Sequence, residues 1–320
     1  MEQAELIAIV DTDPRAKEIA EAVGTPFYAT TGTMLRSLEP DGVIVSTPTN
    51  RHLQPLLKSL QSGAHVLVEK PIAATMEEAE AVVDLSEKVS RYVLVGYHRR
   101  YYENIQETRR LIQEGGLGQL VGVCGQWTIR KADGYSEANW RQSRTAGPGM
   151  KNLSHEIDTL RFVCGEIGSL SANIRRGIRG HPKEETAALL LNFECGALGA
   201  FLLSDATPSP WAWEHTTGEN PVFPTYGQNV YRFVGSEAAL DFPNLVLWQH
   251  TGQVADWNHQ MTARPIDIQL NDAFEAQCTH FCRVIAGWEQ PRITAPDATR
   301  SLAAVLAVFD AAERGVEVQL

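Results

Sequence analysis

The first hundred residues set short, unbroken apolar runs against amphipathic stretches. Leu6–Val10, Val43–Val45, Val66–Val68 and Tyr92–Val95 carry almost no polar alternation, as expected of strands buried on both faces of a parallel sheet. Between them lie helix signals. Asp13-Pro14 reads as the N-cap and first residue of a helix over 15–23 that Gly24 closes. A second helix runs through Leu56, Leu57 and Leu60 to Gly63, and Thr75-x-x-Glu78 is a capping box for a third, ending near Lys88. The pattern predicts an α/β fold with a doubly wound parallel sheet. From about Leu120 the period changes to two. Segments 120–129, 169–175, 186–193, 197–203, 231–234, 239–242 and 245–249 predict an α+β domain with an open antiparallel sheet, one face wet. Two helices, 272–288 and 297–314, close the chain. This reading places the domains at 1–118 and 119–320.

Composition narrows the class. A net charge of −11 over 320 residues argues against a nucleic-acid partner, which needs basic patches. No apolar run reaches the roughly 18 residues of a membrane span, and no signal segment opens the chain. No membrane association is expected, and a cytoplasmic location is. The five cysteines are scattered and odd in number, which suits reduced thiols. Cys278 and Cys282 flank His280, but metal sites show tighter, repeated spacing, so no metal is expected.

Candidate chemistry begins where the third apolar run stops, at Glu69-Lys70-Pro71. A Lys at the carboxyl end of a parallel strand sits where open sheets bind ligands. Asp11 ends the first run. Such a carboxylate either hydrogen-bonds the ribose hydroxyls of a dinucleotide, favouring NAD over NADP, or merely caps a turn. A dinucleotide fold also needs a strand and a G-x-G-x-x-G turn before that acidic residue, yet no glycine precedes Gly24. The first strand, turn and helix are therefore expected to be missing from this chain. Either the reading frame starts about 25–30 residues upstream, the length of that unit, or the chain is a shortened form with impaired cofactor binding. Downstream, a glycine turn at Gly147-Pro148-Gly149 feeds a helix on which Asn152, His155 and Asp158 recur every three residues. They share a face, read either as a row of polar groups for a ligand or as a solvated surface. The long stretch 205–228 is the other candidate. Trp211, Trp213 and Tyr226 are suited to stack on a sugar ring and Glu214, His215 and Asn220 to bind hydroxyls, unless the segment is a subunit contact.

With Asp11, Ser46-Thr47-Pro48, Glu69-Lys70-Pro71 and His155-x-x-Asp158 together, the chain resembles the Gfo/Idh/MocA family. These are nicotinamide-dependent oxidoreductases that act mostly on sugars, cyclitols and related hydroxy compounds. The resemblance implies NAD as cofactor, NADP being less favoured, with Asp11, Thr47, Pro48, His52, Glu69, Lys70, Arg99, Trp140 and Arg141 as its contacts. It implies Lys70 and His155 as the catalytic pair, with Asn152 and Asp158 beside them on the substrate; Trp213 and Glu214 are substrate candidates from the long segment alone. Many members carry an Asp four residues before the His. Here that position is Lys151, and Asn152 offers a polar contact instead. Histidine suits proton transfer near neutral pH, so His155 is read as acid/base and Lys70 as the cation on the reacting oxygen. The opposite assignment stays open. The family's open sheet also implies a homo-oligomer, dimer or tetramer. The expected activity is hydride transfer between NAD and a hydroxyl of a sugar, sugar acid or cyclitol. Two alternatives remain: a redox-neutral lyase or hydrolase that retains NAD, and a non-catalytic binding protein that has lost its cofactor site.

Overall fold

The computed structural model describes residues 4–132, 147–180, 183–252 and 254–320. These form two compact units, one of residues 1–98 with 274–302 and the other of 99–273 with 303–320. The sequence pattern places a single cut at 118/119. Contacts instead divide the chain at His98/Arg99 and return its C-terminal part to both units.

In the first unit, strands and helices alternate: β1 (Ile9–Val10), α1 (Ala16–Ala22), β2 (Phe27–Tyr28), α2 (Thr31–Ser37), β3 (Gly42–Val45), α3 (Leu53–Gln61), β4 (His65–Val68), α4 (Met76–Val89) and β5 (Val93–Val95). All strand pairs are parallel. β3, β4 and β5 form one ladder with Val43 opposite Val66 and Val66 opposite Val93, while β1 pairs only with β2. Val66, Val68, Leu94 and Val95 are fully buried, as their unbroken apolar runs require. The run at Leu6–Val10 behaves differently. Only Ile9–Val10 is strand, half-buried, and Leu6 is exposed. Among the described residues β1 pairs with β2 alone, and the pairing does not extend back to Leu6. The first half of the capping box forms as expected, with Thr75 Oγ1 accepting from Glu78 N at 3.3 Å; the second is shifted by one residue, Glu78 Oε2 accepting at 3.0 Å from Ala74 N, before the cap, instead of from Thr75 N. Asp13 Oδ1 accepts from Arg15 N at 2.9 Å, but the residue that caps α1 is Arg15 and not Asp13.

The second unit holds α5 (Glu103–Gln113), β6 (Leu120–Thr128), α6 (Pro148–Lys151), α7 (Leu153–Cys164), β7 (Ile167–Arg175), β8 (Thr186–Phe193), β9 (Leu198–Ser204), α8 (Trp213–Thr216), β10 (Tyr231–Gly235), β11 (Ala238–Phe242), β12 (Val246–Gln249) and β13 (Thr262–Pro265). The chain ends with α9 (Ala273–Ile285), α10 (Ala295–Arg314) and β14 (Val318–Gln319). The sheet order is β13-β12-β11-β10-β6-β9-β8-β7-β14. Every neighbouring pair is antiparallel except β6 and β9, which run parallel with Gly125 opposite Phe201, so the sheet is mixed rather than wholly antiparallel. One face is core: Val123, Trp127, Leu189, Leu191, Phe201, Leu203, Tyr231 and Phe233 are buried, and alternate residues point outward.

α9 returns to the first unit. A Cβ on Gly42 would meet Ile285 Cδ1 at 2.7 Å and the Phe281 ring at 3.0 Å, so the start of β3 is glycine because α9 lies against it. Among the described residues no helix is long and apolar enough to cross a membrane, and no group of three or more His, Cys, Asp or Glu is placed to hold a metal ion.

Candidate active site

In the first unit the singled-out residues cluster at strand ends. Asp11 follows β1, exposed, with Oδ1 accepting from Asp13 N at 2.8 Å. Thr47 and Pro48, also exposed, follow β3. Glu69 and Lys70, half-buried, follow β4, the middle strand of its ladder. The carboxyl ends of parallel strands are where such folds bind ligands. Glu69 packs on Gly96 just past β5, where a Cβ would lie 3.1 Å from Glu69 Oε2, and it accepts from Lys70 N at 3.2 Å. The backbone around Lys70 is thereby held.

His52 is the exception among these residues. It is buried, with Nε2 2.8 Å from the Thr47 carbonyl and Nδ1 3.0 Å from the Pro71 carbonyl. Both ring nitrogens are thus engaged by backbone, so the expectation of a cofactor contact is corrected. His52 ties the loop after β3 to the loop after β4.

In the second unit, α7 carries the candidate substrate residues. Asn152 and His155 are half-buried near its start, and Lys131 Nζ donates to Asn152 Oδ1 at 2.8 Å. Asp158, on the same helical face, is not a ligand group. Its two oxygens accept from Arg100 Nε at 2.8 Å and Nη2 at 2.7 Å, with 1% of the side chain exposed. The three-residue spacing puts Asp158 in line with His155, but the line runs from the helix start into the core.

Arg99 is corrected for the same reason. Its guanidinium donates to Glu156 at 2.6 Å and lies 4.0 Å from the centre of the Trp213 ring, all buried. Tyr231 also donates its hydroxyl to Glu156. Burial pushes the Glu156 carboxyl up in pKa while Arg99 and Tyr231 oppose it, and burial with the nearby carboxylate pushes the Tyr231 hydroxyl well above its usual range. Trp213, expected to stack on substrate, is a core residue. It stacks on Phe242 at 5.6 Å, meets Tyr102 edge-on, and donates Nε1–H to Glu219. Glu214 accepts from Trp127 Nε1 at 2.8 Å. Of the long segment, Trp211 and Tyr226 remain exposed. Trp140 and Arg141 lie outside the described residues.

Sequence reading missed three contributors: Lys131, Arg100 and Glu184. Glu184 precedes β8, is buried, and accepts from Gly149 N at 3.0 Å. A signal for it existed in the close pair Gly147 and Gly149, whose missing side chains leave its place.

The residues present fit a dinucleotide in part. Asp11 suits a ribose and the Glu69–Lys70 strand end suits the reacting end, while the chain contains no G-x-G-x-x-G turn for a pyrophosphate.

Comparison with known proteins gives the same picture for each part. Residues 1–97 match the model described as "Oxidoreductase family, NAD-binding Rossmann fold", and residues 105–241 match the GFO/IDH/MocA C-terminal domain. The chain is 28% identical over 211 residues to the rhizopine catabolism protein MocA of Rhizobium meliloti, covering 64% of each chain. That alignment thus spans less than two thirds of the relative. It is 24% identical over 328 residues to scyllo-inositol 2-dehydrogenase (NAD(+)) of Bacillus subtilis, covering 99% of this chain and 89% of the other. In fold it is similar to an oxidoreductase from Agrobacterium radiobacter solved with NAD+, L-tartaric acid and magnesium, with TM-score 0.83 and 18% identity over 98% of this chain and 90% of that one. Strand-end chemistry in the first unit, a mixed open sheet in the second and a family model on each lead to one assignment: the chain belongs to the Gfo/Idh/MocA family of oxidoreductases.

Proposed function

We propose that this protein is an NAD-dependent dehydrogenase acting on a hydroxyl of a sugar, sugar acid or cyclitol. The observation that carries the reading is Lys70, at the carboxyl end of the middle strand of a parallel ladder in a unit that matches an NAD-binding Rossmann model. Asp11, Thr47, Pro48, Glu69 and Lys70 are the residues that would hold the dinucleotide, which when bound supplies the hydride acceptor. His155 takes the proton from the reacting hydroxyl, since imidazole is matched to proton transfer near neutral pH. Lys70 holds the same oxygen and stabilises negative charge on it. Asn152, kept in place by Lys131, binds a neighbouring hydroxyl. Relatives named as dehydrogenases of scyllo-inositol, D-glucosides and levoglucosan support the substrate class.

The outward face of the large sheet supports a homo-oligomer. Leu190, Leu198, Leu202, Val234 and Trp248 all point out of it and are exposed, an apolar surface that suits a second copy.

Net NADH formation at 340 nm, with NAD and a panel of cyclitols, aldoses and uronic acids, tests the reading. Lys70→Ala and His155→Ala are each expected to lower turnover by about 10²-fold or more, the size of a lost acid/base group. Near-normal rates in both variants would remove the assignment, and product formed without NADH would replace it with redox-neutral chemistry.

A further inference from the structure

The helix that presents Asn152 and His155 begins without a cap of its own. Neither Gly147, before α6, nor Asn152, between α6 and α7, makes a side-chain cap hydrogen bond. The first N–H groups of a helix need acceptors, and here one comes from a distant part of the chain. Glu184, on the segment leading into β8, sends its carboxylate to the glycine turn, where Oε1 accepts from Gly149 N at 3.0 Å. Only 1% of this residue is exposed.

The turn is shaped around that carboxylate. A Cβ on Gly147 would lie 2.1 Å from Glu184 Cδ and Oε1. On Gly149 it would lie 2.9 Å from Oε1 and 2.8 Å from the Phe309 ring. Any side chain at Gly147 therefore displaces the carboxylate. The charged groups acting on it are Arg176, which favours its ionised form, and Asp205, which opposes it; burial outweighs the hydrogen bonds and raises its pKa. A buried carboxylate at such a cost, fitted to two glycines one turn before Lys151 and Asn152, calls for a role.

We propose that Glu184 is a positioning residue for His155. By capping the Pro148–Lys151 turn it fixes the direction in which Asn152 and His155 leave that turn. The inference rests on the reading of His155 as the acid/base group, but its test needs no turnover.

The test is a pH titration of the His155 ring by NMR in the full chain labelled with 13C-histidine, the signal assigned by its loss in His155→Asn. Glu184→Ala removes the acceptor and leaves a cavity, so the His155 ring shifts and titration midpoint are expected to move. Glu184→Gln keeps an acceptor for Gly149 N–H and is expected to restore both towards wild type. Unchanged His155 signals in folded Glu184→Ala overturn the proposal. Equal displacement in both variants marks a through-space charge effect and also overturns it. Should Glu184→Ala not fold, Gly147→Ala pushes the intact carboxylate aside and gives the same readout, where an unmoved His155 again overturns the role. With an active substrate in hand, Glu184→Ala is further expected to lower kcat on the order of 10²-fold, as for a misplaced catalytic group, with rescue by Glu184→Gln. Absence of any NADH formation in wild type would count against the dehydrogenase reading and leave the NMR result standing.

Discussion

Replacing Arg100 by Met leaves the Asp158 carboxylate buried without its guanidinium partner. In the native fold the two form a fork with contacts of 2.8 and 2.7 Å, and their side chains are 4% and 1% exposed. An exposed pair would be worth about 0–1 kcal/mol. Removing one member of a buried pair costs about 3–5 kcal/mol, because the remaining charge keeps its desolvation penalty without its compensation. At about 1.4 kcal/mol per decade, the folded-to-unfolded ratio drops on the order of 10²- to 10⁴-fold. That is a large part of a typical reserve of about 5–15 kcal/mol. Asp158→Leu should cost somewhat less, since the Phe162 ring lies 5.0 Å from the Arg100 guanidinium and retains part of its stabilisation. The decisive variant is Arg100→Met with Asp158→Leu, in which neither charge of the pair is left behind. It should recover most of the loss and give a coupling energy of about 3 kcal/mol or more. Urea unfolding followed by tryptophan fluorescence measures all four proteins, with Trp127 and Trp213 as buried reporters in the same unit. A double variant as unstable as the sum of the singles, or singles costing under about 1 kcal/mol, would refute the buried-pair reasoning.

Other consequences are open to measurement. His280 Nε2 accepts from Arg292 N at 3.0 Å and Nδ1 contacts Glu289 at 2.6 Å, so the neutral ring is the one that fits, and burial lowers its pKa from 6.5. A depressed folded pKa means stability present above about pH 6.5 and lost as pH falls through the folded value; thermal melts from pH 7.5 down to 5 should show this loss, and His280→Gln should flatten it. His52→Ala strips two backbone carbonyls, that of Pro71 buried, of their ring contacts and should destabilise the protein by about 1–3 kcal/mol, read as a lower urea midpoint; an unchanged midpoint would mean those contacts carry no weight. Leu190→Glu with Leu202→Glu on the outward sheet face should convert an oligomer to monomer by light scattering, and an unaltered mass would place the subunit contact elsewhere.

The sequence by itself determined what depends on local pattern. Unbroken apolar runs specify parallel strands, alternation specifies half-exposed ones, and both patterns recur in the structure with ends shifted by a residue or two, except at Leu6–Val10, where only Ile9–Val10 is strand. β8 falls on the expected Thr186–Phe193. The cap at Thr75 and the placement of Asp11, Thr47 and Lys70 at strand ends were legible for the same reason, since motif and element are contiguous. The short strands β13 and β14 were not, being too brief and too exposed to leave a period.

Tertiary structure alone decided which of the polar residues are spent inside. Asn152, His155 and Asp158 share one helical face, and periodicity treats them alike. What buries Asp158 is Arg100, 58 residues earlier in the chain, arriving with a fork of the right geometry. Trp213 looked like a binding group because aromatic rings suit a sugar, and Arg99 because the family resemblance implied it, yet they stack on each other in the core. His52 changed from a cofactor contact to a tether because two backbone carbonyls converge on it. The glycines at 147 and 149 marked a close approach without saying of what. A buried charge is tolerated only where its partner is delivered by the fold, and one strand of sequence does not say where that partner will come from.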